Sequence, residues 1–204
     1  MSLTQSRPGT LPAPAAEPRW TARLWCVLAV LCLVLFLGGL DVSMVGIALP
    51  SIGHDLGLAP RSLQWIVNGY VLGYGGLMLL GGRTADLLGR RRVFLAALAV
   101  FAAASLLGGL VDDGTLLIAT RFVKGLAAAF TVPAGLSILT TTFREGPQRN
   151  RALSVFSLFG ALGYSSGLIL GGLLTGIGWR WTFLMPVPLA LLPGPCWPRP
   201  SPST

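Results

Sequence analysis

The sequence predicts an all-α membrane protein, a bundle of six transmembrane helices whose sixth member is short. Three observations lead there. Of the 204 residues, 53% are hydrophobic and only 11% are charged, and the mean hydropathy is +0.72, which is too apolar for a soluble domain of this size. The apolar residues gather in charge-free runs, such as Leu63 to Leu80 and Val93 to Val111, each approaching the ~20 residues that cross about 30 Å of hydrocarbon. The basic residues gather between those runs. A formal net charge of +8 would suggest nucleic acid for a soluble chain, but here it reports membrane topology. No basic patch interleaved with aromatics and no zinc-ligand spacing supports a nucleic-acid partner, so the expected partner is the lipid bilayer.

Taken in order, residues 1–23 read as a disordered cytoplasmic arm, because Pro8, Pro12, Pro14 and Pro18 stand among small and polar residues that bury little apolar surface. The first span runs from Leu24 to about Ile47. Arg19 and Arg23 ahead of it imitate a signal peptide, but the run is long and has no convincing small-residue cleavage site, so a retained anchor helix is expected. Leu63 to Leu80, Val93 to Val111, Leu116 to Leu139 and Ala152 to Thr175 make the next four spans, and a sixth begins near Thr182. Together, residues 24–192 form the six-helix bundle.

Thr182 to Leu192 offers eleven residues before Pro193, about 16 Å of helix where about 30 Å must be crossed. Residues 193–204, with Pro193, Pro195, Pro198, Pro200 and Pro202, then rule out a regular helical continuation. They read as a disordered tail, the product of truncation or a frameshift, with an intact short protein as the alternative. Charge sets the orientation. Arg7, Arg19, Arg23, Arg83, Arg90 to Arg92, Arg144, Arg149 and Arg151 fall on one side, whereas Arg61, Arg180, Asp55, Asp112 and Asp113 fall on the other. The positive-inside rule therefore makes both termini cytoplasmic. Cys26, Cys32 and Cys196 lack CxxC spacing and read as free thiols.

Asp41 is the ionisable residue that stands out, because it lies well inside an apolar span. A charge there costs about 2.5 to 3.5 kcal/mol and calls for a partner, a proton or water. Counted from the outer helix ends, Asp41 lies about 13 Å deep and Arg121 about 8 Å deep, depths compatible with a pair. A carboxylate facing a guanidinium can change protonation as cavity water comes and goes; a static salt bridge is the other reading. Lys124, the only lysine, follows Arg121 by three residues and lies on the same face.

In the segment Gly82 to Arg92, the two glycines Gly82 and Gly89 permit close approach at helix ends. Asp86 can accept bonds from neighbouring helix N-termini or arginines, and Arg90, Arg91 and Arg92 hold the cytoplasmic face. Gly163, Gly167 and Gly171 recur every four residues, a flat stripe against which another backbone can pack. Gly81-Gly82 with Arg90 is echoed by Gly171-Gly172 with Arg180 at the same spacing, a faint three-plus-three internal repeat. Gln64, Trp65, Asn68, Tyr70, Tyr74, Tyr164, Ser165 and Ser166 are candidates for a substrate path, although interfacial aromatics and intrahelical serine bonds explain them equally well. His54, beside Asp55, reads as a solvated outer-loop histidine.

Four patterns jointly resemble the drug:proton antiporter branch of the major facilitator superfamily, its fourteen-helix multidrug exporters in particular, over about residues 38 to 190. They are Leu40-Asp41 with Val45, Ala48, Leu49-Pro50 and Ile52; Gly82 to Arg92; Arg121-Phe122-Val123-Lys124-Gly125; and the glycine series followed by Trp179-Arg180-Trp181. The resemblance implies the N-terminal half of a major facilitator fold, in a bacterial inner membrane. It implies proton-coupled efflux by alternating access, with no enzyme chemistry and no cofactor beyond a proton gradient. Asp41 and Arg121 would carry proton coupling, with Lys124 beside them, and Gly82 to Arg92 would gate, a topological anchor being the plainer reading. The substrate would be an amphipathic or cationic small molecule, and a C-terminal half would be a missing partner. Lys124 stands where the family often has a neutral glutamine, and Gly167-Leu168 where exporters have glycine-proline. A non-transporting subunit paired with another half-transporter, or a solute symporter of the same fold, are the alternatives.

Overall fold

The computed structural model describes residues 20–192. The expected N-terminal arm over 1–19 and the tail 193–204, with Cys196, lie outside the described residues. Helices α1 (Ala22–Asp55), α2 (Pro60–Leu88), α3 (Arg90–Leu110), α4 (Gly114–Thr142) and α5 (Pro147–Ile177) are each long and apolar enough to cross a membrane. Two short helices, α6 (Trp181–Leu184) and α7 (Pro186–Leu191), follow. The described chain has no strand.

Every long helix outruns its apolar core, because the ends are set by capping and turn chemistry and not by hydrophobicity. Pro60 and Pro147 open α2 and α5 in the first turn, where the missing N–H would have had no partner. Asp113 caps α4 by accepting from the Leu116 amide at 2.9 Å. Pro50 does not end α1, which continues to Asp55, so His54 belongs to a helix and not to a loop. Arg23, assigned by sequence to the arm, already lies in the first turn of α1, and Trp20 just ahead packs on Trp25 and Phe143 at ring distances of 4.8 and 5.3 Å.

The charge-dense segment after the second span is not an extended loop. Residues 82–88 are the last two turns of α2, Arg90 begins α3, and Gly89 alone makes the break with φ +93° and ψ 118°. A Cβ on Gly89 would meet no atom within 4 Å, so this glycine is required for its dihedral angles and not for close approach. Gly89→Ala should accordingly destabilise the protein by about 1–3 kcal/mol through backbone strain. Gly82→Ala, whose new methyl would make only ordinary contact with Pro133 at 3.8 Å, should leave the thermal transition in detergent within a degree or two, by analogy with the roughly neutral response of unstrained helix sites.

Packing pairs α1 with α5 and α2 with α4, while α3 lies along α4 and α6 and α7 lean on α3. Exchanging the first three helices for the next three maps the α1–α5 pairing onto the α4–α2 pairing, which gives the faint sequence repeat a structural counterpart. Small residues make both pairings close. A Cβ at Gly163 would overlap the Phe36 backbone, one at Gly167 would overlap Leu40 and Ser43, and one at Gly171 would come within 3.0 Å of the Met44 Cα. Across the other pairing, Gly73 faces the Phe122 carbonyl and Gly125 the Tyr70 backbone. Between lipid-exposed helices such close backbone contact replaces the hydrophobic drive available in water.

The core divides in two. One apolar cluster gathers Leu28, Leu31, Phe94, Leu139 and Phe143; the other gathers Val45, Ile52, Ile66, Leu117 and Phe183. Along α1, Asp41 sits between Leu37 of the first cluster and Val45 of the second. The sixth segment is as short as the sequence predicts: Trp181 to Leu191 spans eleven residues, about 16 Å at ~1.5 Å per residue. Proline at 186 removes an amide donor where α7 begins.

Candidate functional site

Asp41, Arg121 and Lys124 meet in the interior, 0%, 2% and 0% exposed. The Arg121 Nη1 donates to Asp41 Oδ2 at 2.6 Å, and Lys124 Nζ donates to Asp41 Oδ1. Arg121 Nε also donates to the Ile66 carbonyl of α2 at 3.3 Å. One turn of α4 delivers both cations, because residues three apart share a helix face. The approach of α2 that brings the Ile66 carbonyl into reach is permitted by the lack of side chains at Gly69, Gly73 and Gly125.

Aromatic rings complete the shell. The Arg121 guanidinium lies 4.7 Å from the Tyr70 ring centroid, and Lys124 Nζ lies 4.8 Å from that of Phe101 and 5.2 Å from that of Phe183. With Asp41 ionised and both bases charged, two positive charges face one negative charge, so the cluster carries a net +1. Desolvation makes such an arrangement costly unless each group is paired, and the rings supply attraction to the cations where carboxylates are lacking. The cluster also joins two parts of the bundle: Asp41 rides on α1, which packs with α5, whereas both bases ride on α4, which packs with α2 and α3.

Beside the cluster lies a cavity of about 340 Å³. Val34, Gly38 and Val42 of α1 form one wall; Tyr70 and Tyr74, Phe101, Thr131 and Tyr164 come from α2, α3, α4 and α5. Tyr70 and Tyr74 stack nearly parallel, 10° apart with centroids at 6.3 Å, and Tyr70 also takes the Arg121 guanidinium. Of the side chains singled out by sequence as path-lining, Tyr70, Tyr74 and Tyr164 line this cavity, while Gln64, Trp65, Asn68, Ser165 and Ser166 are not among its lining residues. Sequence reasoning missed Phe101 and Thr131, whose immediate neighbours are apolar or small and give no local signal to separate them from core.

At one end of the bundle, Asp86 accepts from Arg90 Nε and Nη2 at 3.1 and 3.0 Å across Gly89. Arg91 follows in the first turn of α3. On the same side, Arg149 donates to Glu145 at 3.1 Å. At the opposite end, Arg180 donates to Asp55 at 3.0 Å and to Asp112, and the Trp179 indole donates to Asp55 at 2.8 Å. This clasp ties the end of α1 to the α3–α4 connection. Desolvation is the largest single influence on Arg180 and pulls its pKa down, but hydrogen bonds and charge attraction from Asp112 and Asp55 together outweigh it and hold the guanidinium above its ordinary value. Among the described residues no group of His, Cys, Asp or Glu side chains could hold a metal ion.

Comparison with known proteins gives a consistent result. The sequence profile of the Major Facilitator Superfamily matches residues 31–203. The cephamycin export protein CmcT of Amycolatopsis lactamdurans is 45% identical over 172 residues, which cover 84% of this chain and 35% of that protein. The puromycin resistance protein pur8 of Streptomyces alboniger is 43% identical over 171 residues, covering 83% of this chain and 34% of that protein. This chain thus spans about a third of the length of these curated relatives. Among solved structures, a bacterial homologue of the human lysosomal transporter Spinster, inward-facing and occupied, superposes with a TM-score of 0.76 at 19% identity, over 90% of this chain and 46% of that one.

Proposed function

The chain belongs to the Major Facilitator Superfamily, and from that premise we propose that it forms the N-terminal half of a proton-coupled exporter of amphipathic organic molecules, working by alternating access in a bacterial inner membrane. The observation that carries the proposal is the wholly buried carboxylate of Asp41 held by two cations, which share the rings of Tyr70 and Phe101 with a neighbouring cavity. The names of the relatives, a cephamycin export protein and a puromycin resistance protein, support the direction and the kind of cargo.

In this reading a proton reaching Asp41 cancels the charge that both Arg121 and Lys124 grip. The cross-tie from α1 to α4 then slackens, because a neutral carboxyl attracts a cation far less than a carboxylate does. The α1–α5 pair and the α2–α4 pair each keep their close glycine-mediated contacts and move as units. Release of the tie by the proton, and its re-formation once the proton leaves on the other side, would couple proton flow to the rocking that carries substrate. The Asp86–Arg90 pair across Gly89 and the Arg180 clasp lie at opposite ends of the bundle, where one end must open as the other closes. The arginine-rich connections support a cytoplasmic Asp86 end, with both termini on that side in this reading.

A second six-helix half would complete the cavity. Helices α2 and α5 leave Leu72, Leu79, Leu80, Ile169, Leu173 and Ile177 exposed, and lipid and a partner half are the surroundings suited to them. The test is expression in an efflux-deficient bacterium, alone and together with the C-terminal half of a relative, reading dye accumulation with and without uncoupler. Uncoupler-sensitive extrusion that requires Asp41 is the expected result. Extrusion that ignores the uncoupler, or none from any well-inserted pairing, would defeat the proposal.

A further inference from the structure

The cavity and the charge cluster together show which sign of cargo this half accepts. Among the described residues, Asp55, Asp86, Asp112, Asp113 and Glu145 lie at helix ends or connections. Asp41 is the one carboxylate in the middle of a span, and both its oxygens are engaged by Arg121 and Lys124. A cationic guest would therefore find no carboxylate to pair with in this half. Two of the cavity's rings already serve protein cations, Tyr70 with Arg121 and Phe101 with Lys124, and a cation on Tyr74 or Tyr164 would still lack a carboxylate partner.

The electrostatic sign does not reverse during the cycle. With both bases charged, the cluster carries +1 when Asp41 is ionised and +2 when it is protonated. A guest stacked on the Tyr70 or Phe101 ring would stand no more than about 8 Å from a protein cation, the ring-to-cation distance plus a ~3.5 Å stacking contact. At an effective dielectric constant of ~20 one uncompensated charge at that range changes affinity by at least an order of magnitude. The cavity's polar groups point the same way: Tyr70, Tyr74 and Tyr164 bring phenol hydroxyls, which can donate to an anionic oxygen.

We propose that this cavity selects aromatic amphipaths bearing a negative charge over permanent cations, and that Lys124 sets that selectivity by turning a neutral Asp41–Arg121 pair into a positive cluster. The proposal rests on reading the cavity as the cargo site of a transporter. It makes Lys124 a specificity-determining residue and not merely a second holder of Asp41.

The experiment uses the full chain in zwitterionic lipid nanodiscs with two matched probes, an anilinonaphthalene sulfonate and the same ring system carrying trimethylammonium. Binding is read by quenching of protein fluorescence after subtraction of empty discs. The wild-type chain is expected to bind the sulfonate at least about tenfold more tightly. Lys124→Gln should bring the ratio near one, and Lys124→Arg should retain it. Equal or stronger binding of the ammonium probe by wild type overturns the proposal, as does an unchanged ratio in a Lys124→Gln chain that keeps its thermal transition. Should Lys124→Gln fail to fold, the wild-type ratio alone decides. Failure to bind either probe also overturns it. A sulfonate preference without proton-driven extrusion would sink the transport reading and leave this one standing; uncoupler-sensitive extrusion that favours the ammonium probe would do the reverse.

Discussion

In a chain paired with a C-terminal half, Asp41→Asn should abolish the proposed proton-driven efflux and lower the stability of the membrane-inserted protein by about 3–5 kcal/mol, the usual consequence of removing one partner from a buried ion pair. The amide keeps the shape of the side chain and can still accept a hydrogen bond, but it cannot ionise. Arg121 and Lys124, 2% and 0% exposed, would then face each other across a neutral group. Adding Lys124→Gln restores the original net charge of +1 and should recover part of the lost stability. Thermal transitions of the wild type, both single variants and the double variant form a cycle whose coupling between these positions should exceed about 1 kcal/mol. Proton coupling has its own readout: substrate-dependent proton release should vanish in Asp41→Asn and persist in Asp41→Glu. Release that survives Asp41→Asn would reduce Asp41 to a structural tie.

Gly163→Ala is expected to destabilise the bundle about as strongly, although it adds a single methyl group. That methyl would fall on the Phe36 backbone, which has no flexible side chain to swing aside, so α1 and α5 must separate. Overpacking of this kind costs typically 1–3 kcal/mol and occasionally more; the upper end applies because Gly167 and Gly171 share the same contact line. Gly172→Ala is the matched control, since a Cβ there meets nothing within 4 Å and alanine is the better helix former. Thermal aggregation in detergent should separate the two variants by many degrees. Equal behaviour would mean that the α1–α5 contact is looser than the glycine stripe implies.

Much of this architecture was legible from charge-free runs, because a bilayer imposes its thickness directly on apolar length. The depths of Asp41 and Arg121 were compatible with a pair, and the family resemblance pointed to the same two residues. Helix ends were less legible: hydropathy reports where hydrocarbon is, while α1 runs on through Pro50 to Asp55 and α2 runs through Arg83 and Asp86 to Leu88. A charged stretch that reads as a loop can remain helical when a single glycine supplies the turn. The cavity lining was largely hidden. Phe101 and Thr131 differ in no local way from core residues, and their place beside Tyr70 follows from how α3 and α4 cross, which no single helix encodes.

The Asp41–Arg121 bond also has a place in time. Its two partners are 80 residues apart in sequence, and ribosomes add about 5–20 residues per second. Asp41 is therefore made some 4–16 s before the arginine that will hold it has been synthesised, and Lys124 arrives within a second more. Throughout that interval α1 can enter lipid only with its carboxyl protonated, hydrated or kept beside the insertion machinery. Slowing translation between α1 and α4 should lengthen the exposure and lower the yield of inserted protein, while in Asp41→Asn, with no acid to shelter, yield should respond less to that pause.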